Sequence, residues 1–277
     1  MRQPTAMRRF TSSPDRFPSD GMKLSDPSAV HTLYDAQRLS DRQERHPVAA
    51  RTSCDSCLAQ TVCFHASALQ LETDVLALPA PLKISRRSVV YRAGDAFDSL
   101  YIIRTGSFKI VQVRPDGREH ISAFPMLGDV IGMDGFGSGV HTSDAMALED
   151  SQICAIPLAR LDRLCTERPE TLHAFHRTLG AEIVREQDML TLLGTACAEE
   201  RLAHFLLTWA ARQSSRGYSP RHFILRMTRE DIGNFLGMKL ETVSRGLSEF
   251  QRLGMIAVRS REISIVDNDA LGRVATA

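Results

Sequence analysis

The sequence predicts an α+β protein in which an N-terminal antiparallel β-domain is followed by a long helix and a C-terminal helix–turn–helix with a β-wing. Short strand-like runs separated by Gly and Asp turns occupy residues 80–157, a spacing typical of an antiparallel sandwich or barrel. A helical pattern then covers residues 158–193, with Pro169 as a break or first-turn residue. Between residues 228 and 250, a capping segment and a glycine turn delimit two short amphipathic helices.

Length and composition leave room for two modest domains and exclude a membrane protein. The chain has 277 residues, 43% of them hydrophobic, so each domain can bury a core. No apolar run approaches the ~20 residues that a membrane span needs, and the N-terminus lacks the apolar region of a secretory signal. We therefore expect a cytoplasmic protein. Residues 1–50 are rich in Arg, Ser, Pro and Asp, which predicts a disordered N-terminal extension.

The predicted strands of the β-domain are rich in β-branched and aromatic residues. Turn signals such as Ala93-Gly94-Asp95 and Pro115-Asp116-Gly117 separate them, because Gly and Asp favour tight turns. The predicted strands cover residues 88–92, 99–104, 108–114, 120–125, 145–149 and 151–156.

The long helix carries a heptad pattern typical of a short coiled coil. Its apolar members include Leu179, Ile183 and Leu190, with Glu186 where a leucine is expected. A helix packed on its own domain would give the same pattern. If two helices pair, two glutamates could meet across the two-fold axis and weaken the dimer. A solvated residue at the rim of the seam is the alternative interpretation of Glu186.

The segment after residue 227 predicts a helix–turn–helix. Thr228 lies three residues before Asp231, a capping-box variant that starts a helix over residues 229–236. Gly237 supplies a left-handed turn position. A second helix begins near Leu240, with apolar residues on its inner face. In such motifs the second helix presents its N-terminal side chains to the DNA major groove.

The outward side chains of the second helix suit base reading. Arg245 can donate two hydrogen bonds to guanine, Glu241 can accept one from cytosine, and Ser244 can contact either kind of base edge. Thr242 and Lys239 lie where phosphate contacts would fix the register.

The charge balance and the C-terminal strands support the same interpretation. Residues 221–261 contain eight basic and four acidic residues, an excess that fits a nucleic-acid partner and also an ordinary solvated surface. Two alternating strands flank Arg259-Ser260-Arg261, which predicts a β-wing with a basic tip.

The cysteines predict a metal or redox centre. Three of the six, Cys54, Cys57 and Cys63, lie within ten residues, and such a cluster in a cytosolic protein favours metal binding over disulfides. A fourth thiolate must come from elsewhere. Spacing alone does not choose among Cys154, Cys165 and Cys197, nor between zinc and an iron–sulfur cluster.

The order of these elements resembles the CRP/FNR regulator superfamily, and its FNR branch in particular. The motifs that carry the resemblance are residues 227–237, Glu241-Thr242-Val243-Ser244-Arg245 and Glu186-Gln187-Asp188-Met189-Leu190, within a likeness that covers about residues 50–275. The resemblance implies a β-roll like that of cyclic-nucleotide-binding domains. The implied domains are a cluster-binding loop with the β-roll sensor (51–160), a dimerisation helix (161–195) and a winged helix–turn–helix (196–277).

The resemblance also implies a function. A homodimer would form through Ile183, Glu186, Leu179 and Leu190, and Glu241, Ser244 and Arg245 would read TTGAT half-sites in an inverted repeat of double-stranded DNA. Cys154 followed by Ala155-Ile156-Pro157 matches the distant cysteine of the family, so it would complete an oxygen-labile 4Fe–4S cluster with Cys54, Cys57 and Cys63. Such a regulator acts on RNA polymerase through β-roll loops, for which residues 113–120 are the candidate.

The residues bear on three other functions. A cyclic nucleotide is not expected, because the segment corresponding to the family's phosphate cassette, residues 132–145, has no Arg and carries acids. A haem sensor is left open by His65, His120 and His141. An enzyme is not expected, because the sequence contains no phosphate loop, nucleophile elbow or paired catalytic carboxylates. The resemblance leaves Cys165 and Cys197 as small helix-packing residues.

Overall fold

The computed structural model describes residues 81–276. The extension predicted for residues 1–50 and the cysteine cluster at residues 54–63 lie outside the described residues. The β-domain consists of β1 (Leu82–Ile84), β2 (Ser99–Thr105), β3 (Phe108–Val113), β4 (Glu119–Ala123), β5 (Val130–Ile131), β6 (Asp144–Ala147) and β7 (Ser151–Pro157), with a short 3-10 helix at Met133–Gly137.

The β-domain is an antiparallel β-roll made of two facing sheets. One sheet has the order β1-β7-β2-β5 and the other the order β4-β3-β6, and every pair of strands is antiparallel. Ile103, Phe108 and Ile153 are fully buried in the core. Five of the six predicted strands are confirmed, whereas residues 88–92 form only an isolated bridge at Val89.

Two helices follow the roll. The first, α1 (Leu158–Glu167), ends at Arg168, and α2 (Pro169–Thr195) begins with the proline that the sequence marked as a break. Arg168 is extended, because the residue before a proline disfavours the helical region. With 27 residues, α2 is about 40 Å long. Its first half packs on the roll through Ala174 and Phe175.

The C-terminal domain is a winged helix–turn–helix. Its helices are α3 (Ala198–Ser214), α4 (Arg229–Leu236), α5 (Leu240–Arg252) and α6 (Asn268–Ala275), and its strands are β8 (His222–Ile224), β9 (Ile256–Arg259) and β10 (Glu262–Ile265). The strands form one sheet in the order β8-β10-β9. The fold class is therefore α+β, as predicted.

The β-roll and the C-terminal domain share one apolar core. Phe124 of the roll makes edge contacts with the rings of Phe205 and Phe235, with centroids 6.3 and 5.1 Å apart. Polar contacts follow the same junction. Lys109 on β3 binds Asp231 on α4 at 2.8 Å, and the Asn234 amide donates to the Glu119 carbonyl at 2.9 Å. The C-terminal domain is thus attached directly to the sheets of the β-roll.

Asp129, in the turn before β5, is the most highly connected charge at this junction. Its carboxylate accepts from Arg212 and Arg216 of α3 and the following turn, each at 2.6 Å, and from the Met126 backbone N–H at 2.8 Å. The Asp129 side chain is only 11% exposed. The two guanidiniums therefore depend on it for charge compensation.

Removing this carboxylate is expected to destabilise the protein. Asp129→Ala leaves two partly buried guanidiniums without their acceptor, and the free energy of unfolding in urea should fall by about 1–3 kcal/mol. The matched control is Asp116→Ala, which removes an exposed pair with Arg118 and should change little, because exposed pairs contribute little. Equal urea midpoints for wild type and Asp129→Ala would show that the junction does not depend on Asp129.

Candidate nucleic-acid interface

The start of α4 and the turn after it set the geometry of the helix–turn–helix. The Thr228 hydroxyl accepts from the Asp231 N–H at 3.0 Å, and the Thr228 N–H donates to the Asp231 carboxylate at 2.8 Å. Gly237 ends the helix with φ +64°. A Cβ on Gly233 would lie 2.6 Å from the Met238 carbonyl oxygen, so only glycine allows the turn to pack this closely. The predicted capping box and glycine turn are confirmed.

Helix α5 presents the predicted reading residues away from its buried face. Its inner side is formed by Val243, Leu247 and Phe250, all fully buried. On the first two turns, Glu241 and Arg245 are exposed and Thr242 and Ser244 are half-buried, while Lys239 is exposed at the N-cap. The structure therefore brings all five predicted DNA-contacting residues to the N-terminal end of one exposed helix.

Arg229 is a further residue of this surface that the sequence reasoning did not identify. It is the first residue of α4, and its guanidinium donates to the Ser244 hydroxyl at 3.3 Å. A basic residue directly after the capping Thr228 was the available signal. Arg229 thus adds a second guanidinium beside Ser244 and Arg245.

The wing has the predicted basic tip. The β9–β10 hairpin turns at Ser260 with φ +57°, between Arg259 and Arg261. Two of the acids in this region are compensated within the protein, since Glu249 binds Arg252 at 2.6 Å and Asp231 binds Lys109 at 2.8 Å. Within residues 81–276, Lys239 and Arg245 form no ion pair. The surface formed by α5 and the wing therefore presents basic side chains without an acidic partner among the described residues, as phosphate binding requires.

The predicted dimerisation residues lie along α2. Ile183 and Leu190 are 58% and 69% exposed, whereas Leu179 packs against the apolar cluster of the β-roll. Glu186 is exposed between Ile183 and Leu190 and lines a cavity between the domains. Partial desolvation raises the pKa of Glu186, against the opposing effect of the Arg185 guanidinium. An apolar stripe with one charged residue is thus left on the second half of α2.

Cys154 is the only one of the four predicted cluster ligands among the described residues. It lies on β7 opposite Ile102 of β2, is 8% exposed, and belongs to the apolar cluster that α1 and α2 cover. No three His, Cys, Asp or Glu side chains come together as a metal site within residues 81–276. The predicted four-thiolate set is therefore represented among the described residues by Cys154 alone.

The other two described cysteines have different surroundings. Cys165 is partly buried against the same apolar cluster, as expected for a helix-packing residue. The helix-packing expectation is wrong for Cys197, which is exposed at the start of α3. Its backbone N–H donates to the Glu200 carboxylate at 3.0 Å, because this residue caps the helix instead of packing within it.

The segment that corresponds to a phosphate cassette is closed by one of its own side chains. The Asp134 carboxylate accepts from the backbone N–H groups of Thr142 and Ser143 at 2.8 and 3.0 Å. His141 is buried, stacks on Tyr91 with centroids 3.8 Å apart, and lies 3.0 Å from the other Asp134 oxygen. Because the Tyr91 ring and the Asp134 carboxylate already contact its imidazole, His141 is a poor candidate for an axial haem ligand.

Comparison with known proteins agrees with this architecture. Residues 81–168 match the family described as cyclic nucleotide-binding domain, and residues 200–274 match the Crp-like helix-turn-helix domain. The chain is 41% identical over 224 residues to the fumarate and nitrate reduction regulatory protein of Escherichia coli K12, covering 80% of this chain and 90% of that protein. The same comparison gives 40% for the Klebsiella oxytoca protein.

Solved structures with the same fold include FixK2 from Bradyrhizobium japonicum. It superposes with a TM-score of 0.66 at 27% identity and covers 72% of this chain and 98% of its own. TTHB099, a CRP-family transcriptional regulator from Thermus thermophilus, gives 0.58 at 24% identity, with 71% and 97% coverage, and supports the fold alone. Among the described residues, no helix has the length and apolar character needed to cross a membrane.

Proposed function

Because this chain belongs to the CRP/FNR family of transcription regulators, we propose that it is an oxygen-responsive global regulator of anaerobic and microaerobic metabolism. Its relatives are DNA-binding regulators and not enzymes, and the same holds for this chain. In the proposed mechanism, a homodimer that depends on an oxygen-labile 4Fe–4S cluster binds TTGAT-N4-ATCAA-like operators without air. The protein acts in the cytoplasm, where its operator DNA lies.

The position of Glu241, Ser244 and Arg245 at one helix end, away from the buried face of α5, is the observation that carries the DNA-binding part of the proposal. Arg245 donates two hydrogen bonds to a guanine edge and Glu241 accepts from a cytosine amine. Lys239 and Thr242, beside them, fix the register on phosphates. Two such helices in a symmetric dimer match an inverted repeat.

The cluster part of the proposal rests on the position of Cys154. Cys54, Cys57, Cys63 and Cys154 would hold the cluster, which when bound supplies an oxygen-labile link between residues 54–63 and β7. Cys154 lies only four residues before Leu158, where α1 begins. It also shares an apolar cluster with Ala174 and Phe175 of α2. A change at the Cys154 thiolate is therefore transmitted through direct packing to the proposed dimerisation helix.

Glu186 makes the dimer dependent on this signal. Its charge lies on the apolar stripe that the two copies of α2 would bury, and like charges at a helix seam weaken association. The monomer–dimer equilibrium is then balanced closely enough for a local event to shift it.

Glu186→Leu is expected to make the protein dimeric in air. Replacing the carboxylate with an apolar side chain should lower the dimer dissociation constant of aerobically purified protein by about tenfold or more, measured by sedimentation velocity. The matched control is Gln187→Leu, which adds the same side chain to an exposed neighbouring position. Dimer formation to the same extent in both variants would indicate non-specific association instead.

The remaining proposed partner is RNA polymerase. Residues 114–118 of the β3–β4 hairpin are all exposed, and the base of the hairpin is held by the Asn234 contact. The hairpin is thus a fixed, accessible surface for a second protein. No cyclic nucleotide is expected, because Asp134 already occupies the donors of the cassette.

One experiment tests the proposal as a whole. Protein purified without air should contain iron and acid-labile sulfide at about four of each per chain, sediment as a dimer and bind operator DNA. Exposure to air should bleach the cluster absorbance, convert the dimer to monomer and release the DNA. Protein that contains no sulfide, or that binds its operator equally well after aeration, would overturn the oxygen-sensing proposal and leave DNA binding intact.

A further inference from the structure

We propose that the Asp134 carboxylate is a built-in substitute for a bound anion, which keeps the β-roll pocket in a ligand-occupied form without any ligand. This inference deepens the part of the proposed function that excludes cyclic nucleotides. It concerns the sensor domain only, and neither its argument nor its test uses the cluster or the DNA.

The donors around Asp134 form an oxyanion site. One carboxylate oxygen accepts from the backbone N–H groups of Thr142 and Ser143 and also from their hydroxyls, at 2.8 Å for Ser143 and 3.2 Å for Thr142. The other oxygen lies 3.0 Å from Nδ1 of His141. Successive backbone N–H groups reinforced by hydroxyls are the arrangement with which proteins bind phosphate. Here a side chain of the same protein fills it.

The backbone that carries Asp134 is built to direct it into this loop. Gly132 precedes the 3-10 helix with φ +96°, a conformation that other residues rarely adopt. A Cβ on Gly135 would lie 2.3 Å from Cγ of Phe97, so the 3-10 helix packs against Phe97 as closely as glycine allows. The His141 N–H donates to the Asp95 carbonyl at 2.9 Å, which holds the loop on the opposite side.

Asp134 is charged at neutral pH. Burial acts to raise its pKa, but hydrogen bonds from His141, Ser143 and Thr142 outweigh that effect and hold the pKa below its usual value. Burial, together with the nearby Asp134 charge, raises the pKa of Tyr91. The N–H and hydroxyl donors of residues 142 and 143 therefore face a negative charge, as they would with a bound anion.

The pocket beside this loop is open but disfavours anions. A cavity of about 370 Å³ reaches Asp134 and Ser143 and extends between the roll, α2 and α3. Its charged lining consists of five acids and two arginines, namely Asp129, Asp134, Glu182, Glu186, Asp188, Arg185 and Arg212. A small anion could therefore reach the loop donors once the Asp134 side chain is removed, whereas a second anion beside it would be repelled.

Chemical rescue by inorganic phosphate tests this inference. In full-length protein purified without air, Asp134→Ala should lower the midpoint temperature of thermal unfolding, since it leaves the loop donors without an acceptor. Phosphate up to about 50 mM should then raise the midpoint of the variant by about 3 °C more than chloride at equal ionic strength. Wild type should show no such difference, because its site is already filled.

The matched control is Asp144→Ala, which removes another loop carboxylate, one that accepts from the Ala93 N–H at 2.8 Å. It should be destabilised without any specific response to phosphate. Asp134→Asn keeps the shape but not the charge, and it should lose most of the stability that Asp134→Ala loses. If Asp134→Ala does not fold in chloride, its recovery after dilution from urea should require phosphate.

Several outcomes would overturn the inference. Phosphate could fail to stabilise Asp134→Ala both in thermal unfolding and in recovery from urea, or it could stabilise Asp144→Ala to the same extent. An Asp134→Asn variant as stable as wild type, or binding of cyclic AMP to wild type in equilibrium dialysis, would also contradict it. Wild-type iron content and operator binding are measured separately. A failure of the oxygen-sensing proposal can therefore be distinguished from a failure of the Asp134 inference.

Discussion

Anaerobically purified Cys154→Ser protein is expected to contain almost no 4Fe–4S cluster and to lose operator binding. Cys154 is the one proposed ligand on the β-roll, so its loss would remove both a thiolate and the proposed link between residues 54–63 and β7. Without that link, the dimer equilibrium returns to the side that Glu186 favours. The operator affinity without air should fall by about 100-fold, to the value of aerated wild type. Iron and sulfide assays with fluorescence anisotropy on operator DNA measure both effects.

Cys165→Ser is the matched control for this experiment. Cys165 packs at the edge of the same apolar cluster, so the substitution introduces the same polar group nearby without removing a proposed ligand. It should keep its cluster and its operator affinity. Unfolding midpoints of both variants separate cluster loss from damage to the core. If the Cys154→Ser protein had full iron content, the fourth ligand would have to be another residue and the proposed ligand set would be wrong.

Arg245→Ala is expected to weaken operator binding far more than general DNA binding. The guanidinium is exposed on the first turns of α5 and forms no ion pair within the described part of the chain, so it is available to a guanine edge. Losing a bidentate contact costs about 1–3 kcal/mol in each half-site. The affinity for the operator should therefore fall by about 30-fold or more in the dimer, because both half-sites are affected. Anisotropy with operator and scrambled DNA separates the specific from the non-specific component.

Lys239→Ala provides the contrasting variant at the same helix end. Lys239 is exposed at the N-cap of α5 and is proposed to contact phosphate. Its loss should weaken binding to operator DNA and to scrambled DNA to a similar degree, and it should reduce the salt dependence of binding by about one charge. If Arg245→Ala behaves like Lys239→Ala on both DNAs, then Arg245 does not read a base. Base reading would then have to be reassigned to other residues of the surface, with Arg229 as the first candidate.

The sequence predicted those parts of the fold that are encoded by short-range signals. The capping pair Thr228 and Asp231, the turn at Gly237 and the start of α2 at Pro169 are all local, and the structure has them where the sequence indicated. The two-residue strand β5 and helix α6 were not predicted. Strand β5 is too short to show a pattern and depends on its pairing with β2, which is distant in the chain. Helix α6 does have a local signal, because the Asp267 side chain caps it by accepting from the Ala270 N–H, and the sequence reasoning missed it.

In the candidate site, too, features set by short-range signals were predicted and features set by distant contacts were not. The outward positions of Glu241 and Arg245 follow from helical spacing and were predicted. The hydrogen bond between Arg229 and Ser244 was not, because it joins side chains on two helices across the turn. The sequence indicated only part of what surrounds Asp134. The sequence showed acids and no Arg in residues 132–145, but only the fold brings the Asp134 carboxylate onto the N–H groups of residues 142 and 143.

The aromatic junction between the two domains has a consequence for dissecting the molecule. Phe205, Trp209 and Phe235 of the reading domain complete their core with Val111 and Phe124 of the roll. A C-terminal fragment that begins at residue 196 would expose those rings to water and would tend to aggregate. Its poor solubility would follow from the loss of the apolar side chains that the roll contributes to this cluster, namely Val111, Ile121, Phe124 and Met126. The β-roll and the C-terminal domain thus share one apolar cluster, and separating them exposes part of it to water.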